Sequence, residues 1–361
     1  MGITTEIVIP VHDATRPIRR AVNSVLAASG ARAIVVAHNI DPTLLDIPDG
    51  ERVRVVPLSG DVERPGAAFD AGIAAGDAPW VGIMGSDDWY ADGALSAMLR
   101  RARSDRADGI IAPLRYQFAK SNQIKPVTVR RRNLEAVRDR LFYRTAPLGI
   151  YRRDILADPQ LRFGNRYPTG EDIRVSTQLW TAGLSLSYYW NDPAYVVGRD
   201  AQRRVTFTPR PVAVLGQPCR DLFDEPAVQV LGAEQIHALA VKIARVHIVG
   251  IAVQRDSEAM WAPDDICWLA DFTRQLREID PDVWRPLNRR DTAVLAAVES
   301  GEISQIMAAI RAWNQGASRK DRILARSLWD SLRQHDTSVR WYAAVAGVRM
   351  RSVGYGRART E

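Results

Sequence analysis

Short apolar runs and polar breaks alternate through the first half of the chain. Residues 5–11 (TEIVIPV), 33–37 (AIVVA), 52–57 (RVRVVP) and the run through Val81, Ile83 and Met84 have the length and bounds of buried strands. Between the first two, Ile18, Ala21, Val22, Val25 and Leu26 recur at helical spacing. Pro17 sits where a first helical turn tolerates it, and Gly30 can close the C-terminus. Residues 65–75 (PGAAFDAGIAA) read as a helix of small residues. Strand–helix–strand alternation with short links predicts an α/β fold, a mostly parallel sheet covered by helices on both faces.

The period changes after residues 208–211 (TPRP) and the Gly216-Gln217-Pro218 turn, which together read as a hinge. Residues 233–253 form an apolar, helix-like segment interrupted by His237, Lys242, Arg245 and His247. Pro263-Asp264-Asp265 opens a helix reaching Ile279, and residues 304–312 and 320–334 continue with helical periodicity. Trp261, Trp268, Trp284, Trp313, Trp329 and Trp341 are expected to anchor the core of this part and its contact with the first. The predicted division is residues 1–209, α/β, and 210–361, all helical.

Composition changes this picture little. With 361 residues, 46% hydrophobic and 25% charged, the chain has ordinary soluble-domain statistics and length for two domains. Its net charge of +7 is carried by arginine, since Lys120, Lys125, Lys242 and Lys320 are the only lysines. Such a surface suits a phosphorylated substrate, an anionic polymer or an acidic membrane face. Cys219 and Cys267 are too few for a metal knuckle or a disulfide framework. Residues 1–11 read as a strand rather than a signal peptide, and no uninterrupted apolar run of about twenty residues is evident. A cytoplasmic protein, peripheral at most to a membrane, is expected. Residues 339–359 combine Trp341, Tyr342, Val345, Val348 and Met350 with five arginines. Two readings stand: contact with an anionic membrane surface, or helical packing in an oligomer.

The candidate chemistry gathers at strand ends, where open α/β sheets bind ligands. His12, Asp13, His38, Asn39, Asp87 and Asp88 all fall there. Adjacent carboxylates at the end of a buried strand are costly to desolvate unless a cation or donors meet them. Hard oxygen ligands of this kind suit Mg²⁺ or Mn²⁺ shared with substrate phosphates. The plainer explanation is a helix cap, with Asp87 or Asp92 capping a helix that begins near Gly93. No G-x-G-x-x-G follows the first strand and no G-x-x-x-x-G-K-[ST] occurs, which argues against a dinucleotide-binding dehydrogenase and a P-loop enzyme.

Three blocks in order, IVIPVHDATRPIRRAVNSVLA, RPGAAFDAGIAAGDAPWVGIMGSDDWYADGAL and LGIYRRDILADPQLRFGNRYPTGEDIRVSTQLWTAG, resemble the family-2 glycosyltransferases of GT-A fold. The resemblance spans roughly residues 5–205. It implies that Pro10, Val11 and His12 meet the base and ribose of a nucleotide. It puts Gly85-Ser86-Asp87 where the family has Asp-x-Asp, with Asp87 at the metal-binding position and Asp88 beside it. Ala37-His38-Asn39 replaces an Asp-Asp-Gly-Ser turn, giving base contact to His38 or Asn39, and Phe69-Asp70 replaces an Arg-Asn pair. Ser86, Asp70 and Trp89 join the implied sugar-nucleotide contacts. Asp172 matches the catalytic base with Glu171 beside it; both also suit the first turn of a helix, where acids favour the dipole. A later loop implies Asp200 as a third metal ligand and Arg199, Arg203 or Arg204 on the phosphates.

The implied activity is inverting transfer of a sugar from a nucleotide diphosphate, UDP by family default, to a glycan, a lipid-linked glycan or another cell-envelope polymer. The implied cofactor is Mn²⁺ or Mg²⁺. No nucleic-acid partner is expected; a homo-oligomer through the helical part is. Gly85, Ala37 and Asp70 support a second reading, a GT-A-like binding or scaffold module without transfer. A sugar-nucleotide nucleotidyltransferase would carry a glycine-rich loop where residues 11–15 read Val-His-Asp-Ala-Thr.

Overall fold

The computed structural model describes residues 2–61, 64–200 and 210–357. The chain forms two compact units, Met1–Thr208 and Pro209–Glu361.

The first unit is built on a sheet ordered β3-β2-β1-β4-β8-β6-β9. Its strands are β1 (Thr5–Val11), β2 (Ala31–His38), β3 (Val53–Leu58), β4 (Trp80–Ile83), β6 (Gly109–Ile111), β8 (Gly149–Arg152) and β9 (Leu186–Tyr188). β1 to β4 pair in parallel, β8 runs antiparallel to both β4 and β6, and β9 is parallel to β6. Every strand but β8 therefore ends at the same edge. A second sheet, ordered β5-β10-β7, joins β5 (Trp89–Tyr90), β10 (Tyr195–Val197) and β7 (Leu114–Tyr116).

Strands covered on both faces need apolar side chains on both. β1 shows this directly: Ile7, Val8 and Ile9 are all fully buried. Alternation divides them between faces. Ile7, Ile9 and Val11 share a core with Ile18, Ala21, Val22 and Val25 of α1 (Ile18–Leu26) and with α3 (Ala94–Asp105). Val8 faces α2 (Gly66–Ala75), where a β-carbon on Gly72 would lie 2.2 Å from Val8 Cγ1 and 2.9 Å from Val36 Cγ2. That close approach is why this helix is made of small residues.

One charge lies buried in β1. Glu6 pairs with Arg32 and with Arg153 at the start of α4 (Arg153–Leu156), and accepts from the amides of Asp77 at 2.9 Å and Ala78 at 3.1 Å. Fully buried carboxylates persist only with such a complete set of partners. This cluster sits at the strand starts, remote from the ligand edge. Among the described residues the last helix of the unit, α5 (Glu171–Thr181), buries Ile173, Val175, Leu179 and Trp180.

The second unit is helical, with α6 (Val212–Asp221), α7 (Pro226–Gln229), α8 (Ala233–Lys242), a π-helical stretch (Ile243–Ile248) and α9 (Val249–Val253). It continues through α10 (Pro263–Ile279), α11 (Arg289–Ser300), α12 (Ile303–Asn314), α13 (Arg319–Ile323), α14 (Leu328–Arg333) and α15 (Ser338–Arg357). Three expectations are corrected here. Gly216-Gln217-Pro218 is not a turn but lies inside α6; the Trp268 ring fills the space a Gly216 side chain would take, 2.4 Å from its β-carbon position. Residues 233–253, read as interrupted, form a helix long and apolar enough to cross a membrane by length and composition, with mean hydropathy 1.7. Within the unit it packs as a core helix, with Leu239, Val241, Ile243 and Ile248 wholly buried. Of the tryptophans expected in the core, Trp329 is 59% exposed, its ring covered by Arg333 at 3.8 Å.

Candidate functional site

β4 ends at Ile83 and the backbone turns through Gly85, with the Asp88 amide donating to the Gly85 carbonyl at 3.1 Å. The turn delivers two carboxylates. Asp88 accepts the Tyr195 hydroxyl at 2.6 Å and the Gly198 amide at 2.8 Å, while Tyr195 itself accepts from the Gly85 amide at 3.0 Å. β10 thus clamps the turn from above. Gly198 is required there, because a β-carbon would lie 1.9 Å from the Asp87 carbonyl oxygen. Asp87 pairs through Oδ2 with Arg16 Nη1 at 3.1 Å, both side chains being largely buried. Ser86 between the turn's ends is buried.

Arg16 and Arg20, near the start of α1 and one turn apart, were not singled out by sequence. Arg20 organises the neighbourhood. It donates to the Asp87 carbonyl at 2.7 Å, chelates Asp200 at 2.6 and 2.9 Å, and lies 4.0 Å above the Trp89 ring. Asp200 also accepts from Gln117 Nε2 at 3.2 Å; these donors hold its carboxyl far below the usual range. The only advance signal for these arginines was their helical spacing directly after a strand end.

The capping explanation for the acids fails. α3 is capped by Gly93 in the left-handed region (φ 75°), with no side-chain hydrogen bond from Asp87 or Asp92.

At the neighbouring strand ends, Asp13 closes its own turn by accepting from the Thr15 amide and hydroxyl at 2.8 and 2.7 Å. The Val11 side chain is wholly buried in the core, so only its backbone, with that of Pro10, faces the edge. His38 is 3% exposed and its burial lowers its pKa. His12 is lowered by partial desolvation and then by Arg16, so both imidazoles are neutral donors or acceptors at neutral pH. Asn39 (φ 50°) exchanges hydrogen bonds with Gly60, its Oδ1 accepting the Gly60 amide at 3.0 Å, and so ties the ends of β2 and β3 together. Asp70 accepts the amides of Phe163 and Gly164 at 2.9 and 2.8 Å, which fixes the segment leading to α5. Arg204 lies outside the described residues.

α5 opens on Gly170 (φ 83°) with Glu171 and Asp172 in its first turn. Its direction can be read from two anchors. Ser176 Oγ donates to the Thr145 carbonyl at 2.6 Å, in the segment before β8, and Trp180 packs 6.5 Å from Tyr151 within β8. β8 starts at the edge where β4 ends, so α5 runs inward from that edge and its acidic first turn points toward it. Burial and the Asp172 carboxylate push the Glu171 carboxyl up to about 8.

Two of the three implied metal ligands, Asp87 and Asp88, lie side by side, held by Arg16 and by Tyr195 and the Gly198 amide. Asp88 Oδ2 and Asp87 Oδ1 approach the position of a Gly85 β-carbon to 2.8 and 3.3 Å, so both carboxylates converge on one small volume. A Mg²⁺-type site of one or two carboxylates completed by phosphates needs no more. Asp200 does not fit, being occupied by Arg20 and Gln117. Among the described residues no group of three or more acidic, histidine or cysteine side chains is placed to bind metal.

Four parallel strands and an antiparallel neighbour, with acids on the turn after β4, define a GT-A-type fold. The family described as glycosyl transferase family 2 matches residues 6–158, within this first unit. Residues 1–349 of Staphylococcus aureus TarS superpose with TM-score 0.67 at 14% identity, over 88% of this chain and 93% of that one. The same TarS segment crystallised with UDP-GlcNAc gives TM-score 0.70 at 15% identity and with UDP 0.66 at 15%, with the same coverage. At these identities the likeness is one of fold. A sequence search of curated proteins returns no match.

Proposed function

We propose that this chain is an inverting glycosyltransferase that moves a sugar from a nucleoside diphosphate, UDP in the first instance, to a hydroxyl of a glycan or cell-envelope polymer. The observation that carries the reading is the pair of carboxylates converging over Gly85 beside Arg16, in a family-2 domain. The likeness to TarS, crystallised with UDP-GlcNAc and UDP, supports a uridine donor. Pro10, the Val11 backbone, His12, His38 and Asn39 would frame the base and ribose at the strand ends, with Ser86 and Trp89 toward the sugar. Asp87 and Asp88 would hold a divalent cation, Mn²⁺ or Mg²⁺, whose charge stabilises a departing diphosphate. Arg16 and Arg20 keep those two residues in register.

Asp172 acts as general base, accepting the proton of the attacking acceptor hydroxyl. Glu171 helps by staying protonated: two adjacent carboxyls sharing one charge leave it on Asp172. The same reading keeps the protein cytoplasmic, with its basic C-terminal segment meeting no more than a membrane surface.

A panel of nucleotide sugars, assayed for hydrolysis and for transfer to glycan acceptors, tests this. Asp172→Asn should lower transfer by roughly 10²–10⁴-fold while leaving UDP affinity intact. Full transfer by that variant would remove the base assignment. One observation favours the binding-module alternative: Asp87 and Asp200 are already neutralised by Arg16 and Arg20. Nucleotide binding without turnover of any sugar in the panel would support it.

A further inference from the structure

α14 is built inside out. Ser327 caps it, its hydroxyl accepting the amides of Trp329 and Asp330 at 3.1 and 3.3 Å. The side that meets the rest of the unit is polar. Ser331 is 1% exposed, and its hydroxyl accepts the Ala325 amide and donates to the Ser327 carbonyl, both at 2.9 Å. Asp330 is tied to Arg285 at 3.0 Å. The side that meets solvent is apolar, with Leu328, Trp329 and Leu332 exposed by 63%, 59% and 66%. Leu328 and Leu332 stand one turn apart and Trp329 flanks them, so the three form one patch. A surface helix of a globular protein has the reverse arrangement, apolar inward and polar outward. Folding gains little from three large apolar side chains left in water, whereas a contact outside the chain would gain from all of them.

What covers the patch follows from its charge. Arg326 and Arg333 stand at its two ends, both exposed, and Arg333 lies 3.8 Å from the Trp329 ring centroid. Residues 319–357, spanning α13 to α15, carry nine arginines and lysines against three aspartates, a surplus of six in a chain of net charge +7. A second copy would set two such basic surfaces against each other, which like-charge repulsion opposes. Leucine and tryptophan flanked by arginine instead suit the boundary of an anionic bilayer. There the apolar side chains enter the headgroup layer and the guanidinium groups meet phosphates.

We propose that α14 docks this protein on an anionic phospholipid bilayer, with Leu328, Trp329 and Leu332 inserted and Arg326 and Arg333 on the lipid phosphates. The point of entry precedes residues 339–359, the segment whose composition alone suggests membrane contact. The assignment rests on neither the donor site nor sugar transfer.

Co-sedimentation of the full chain with phosphatidylcholine vesicles, and with vesicles that also contain phosphatidylglycerol, is the test. Binding should require phosphatidylglycerol and weaken as salt rises. Leu328→Gln and Leu332→Gln together should weaken it by roughly tenfold or more, and Arg326→Gln by about fivefold. Glutamine is a good helix former, so the double variant should melt at or above the wild-type temperature. Asp87→Ala should leave vesicle binding unchanged and the double variant should leave UDP binding unchanged, so the two readings fail separately. Several results would overturn the proposal: no vesicle binding, equal binding to both lipid compositions, or wild-type binding by the double variant. A lowered melting temperature in that variant would assign the leucines to folding. A dimer in analytical ultracentrifugation that the double variant dissolves would assign the patch to a second copy, and either result overturns the membrane assignment.

Discussion

Asp88 receives one hydrogen bond from a residue 107 positions away and another from one 110 positions away, and the turn after β4 keeps its shape because of them. Tyr195→Phe tests that dependence. It leaves the Gly85 amide and one Asp88 oxygen without their partner in a largely buried site, which costs about 1–3 kcal/mol. Denaturant titration of the variant should show a midpoint lowered accordingly. Glu171 makes an opposite statement about charge. Its carboxyl is raised from an ordinary 4.5 to about 8, so across that interval the folded chain keeps a proton the unfolded chain has lost. Stability from this residue is then intact below pH 4.5 and drains away as pH climbs toward 8. Glu171→Gln removes the drain, and its melting temperature should rise relative to wild type as pH increases through that window. Neither role was legible beforehand. Asp88 reads as half of a metal motif and nothing in the sequence singles out Tyr195, because hydrogen bonds across a hundred residues leave no local pattern. Glu6 is the sharper case, a buried acid inside an apolar run whose partner Arg153 lies 147 residues on.

Elements were more readable than sites, for a physical reason. A parallel strand buried on both faces must be apolar at nearly every position, so β1 was predicted to the residue and β2 to β4 within a few. α1 follows from its apolar stripe. What failed were positions set by a distant side chain: Gly216 and Pro218 look like a turn, yet Trp268 packs where Gly216 has no side chain and the helix continues. Gly72 in α2 is the same device used for docking. Gly72→Ala places a methyl 2.2 Å from Val8 Cγ1 and should lower the denaturation midpoint by an amount equivalent to about 1–3 kcal/mol, although alanine is the better helix former. A stability equal to or above wild type would mean that α2 can shift off β1 and β2. For α5 the useful information is direction: the anchors at Thr145 and Tyr151 make its first turn the end that meets the ligand edge.

Across the whole molecule, a net charge of +7 carried mostly by arginine takes two forms. In the first unit Arg16, Arg20, Arg32 and Arg153 are spent on acids of the same unit. In the second, arginines also stack on tryptophans, Arg290 on Trp313 and Arg333 on Trp329, each 3.8 Å from the ring centroid. Composition alone could not distinguish these uses, and it ranked phosphorylated substrate, anionic polymer and membrane equally. The central claim concerns the first unit: Asp87 and Asp88 form, with a divalent cation, the place where a nucleoside diphosphate is held. Calorimetric titration of UDP into the protein with and without Mn²⁺, repeated on Asp87→Ala, measures it directly. UDP binding that requires Mn²⁺ and is lost in the variant is the predicted result; UDP affinity indifferent to both the metal and the substitution would contradict it.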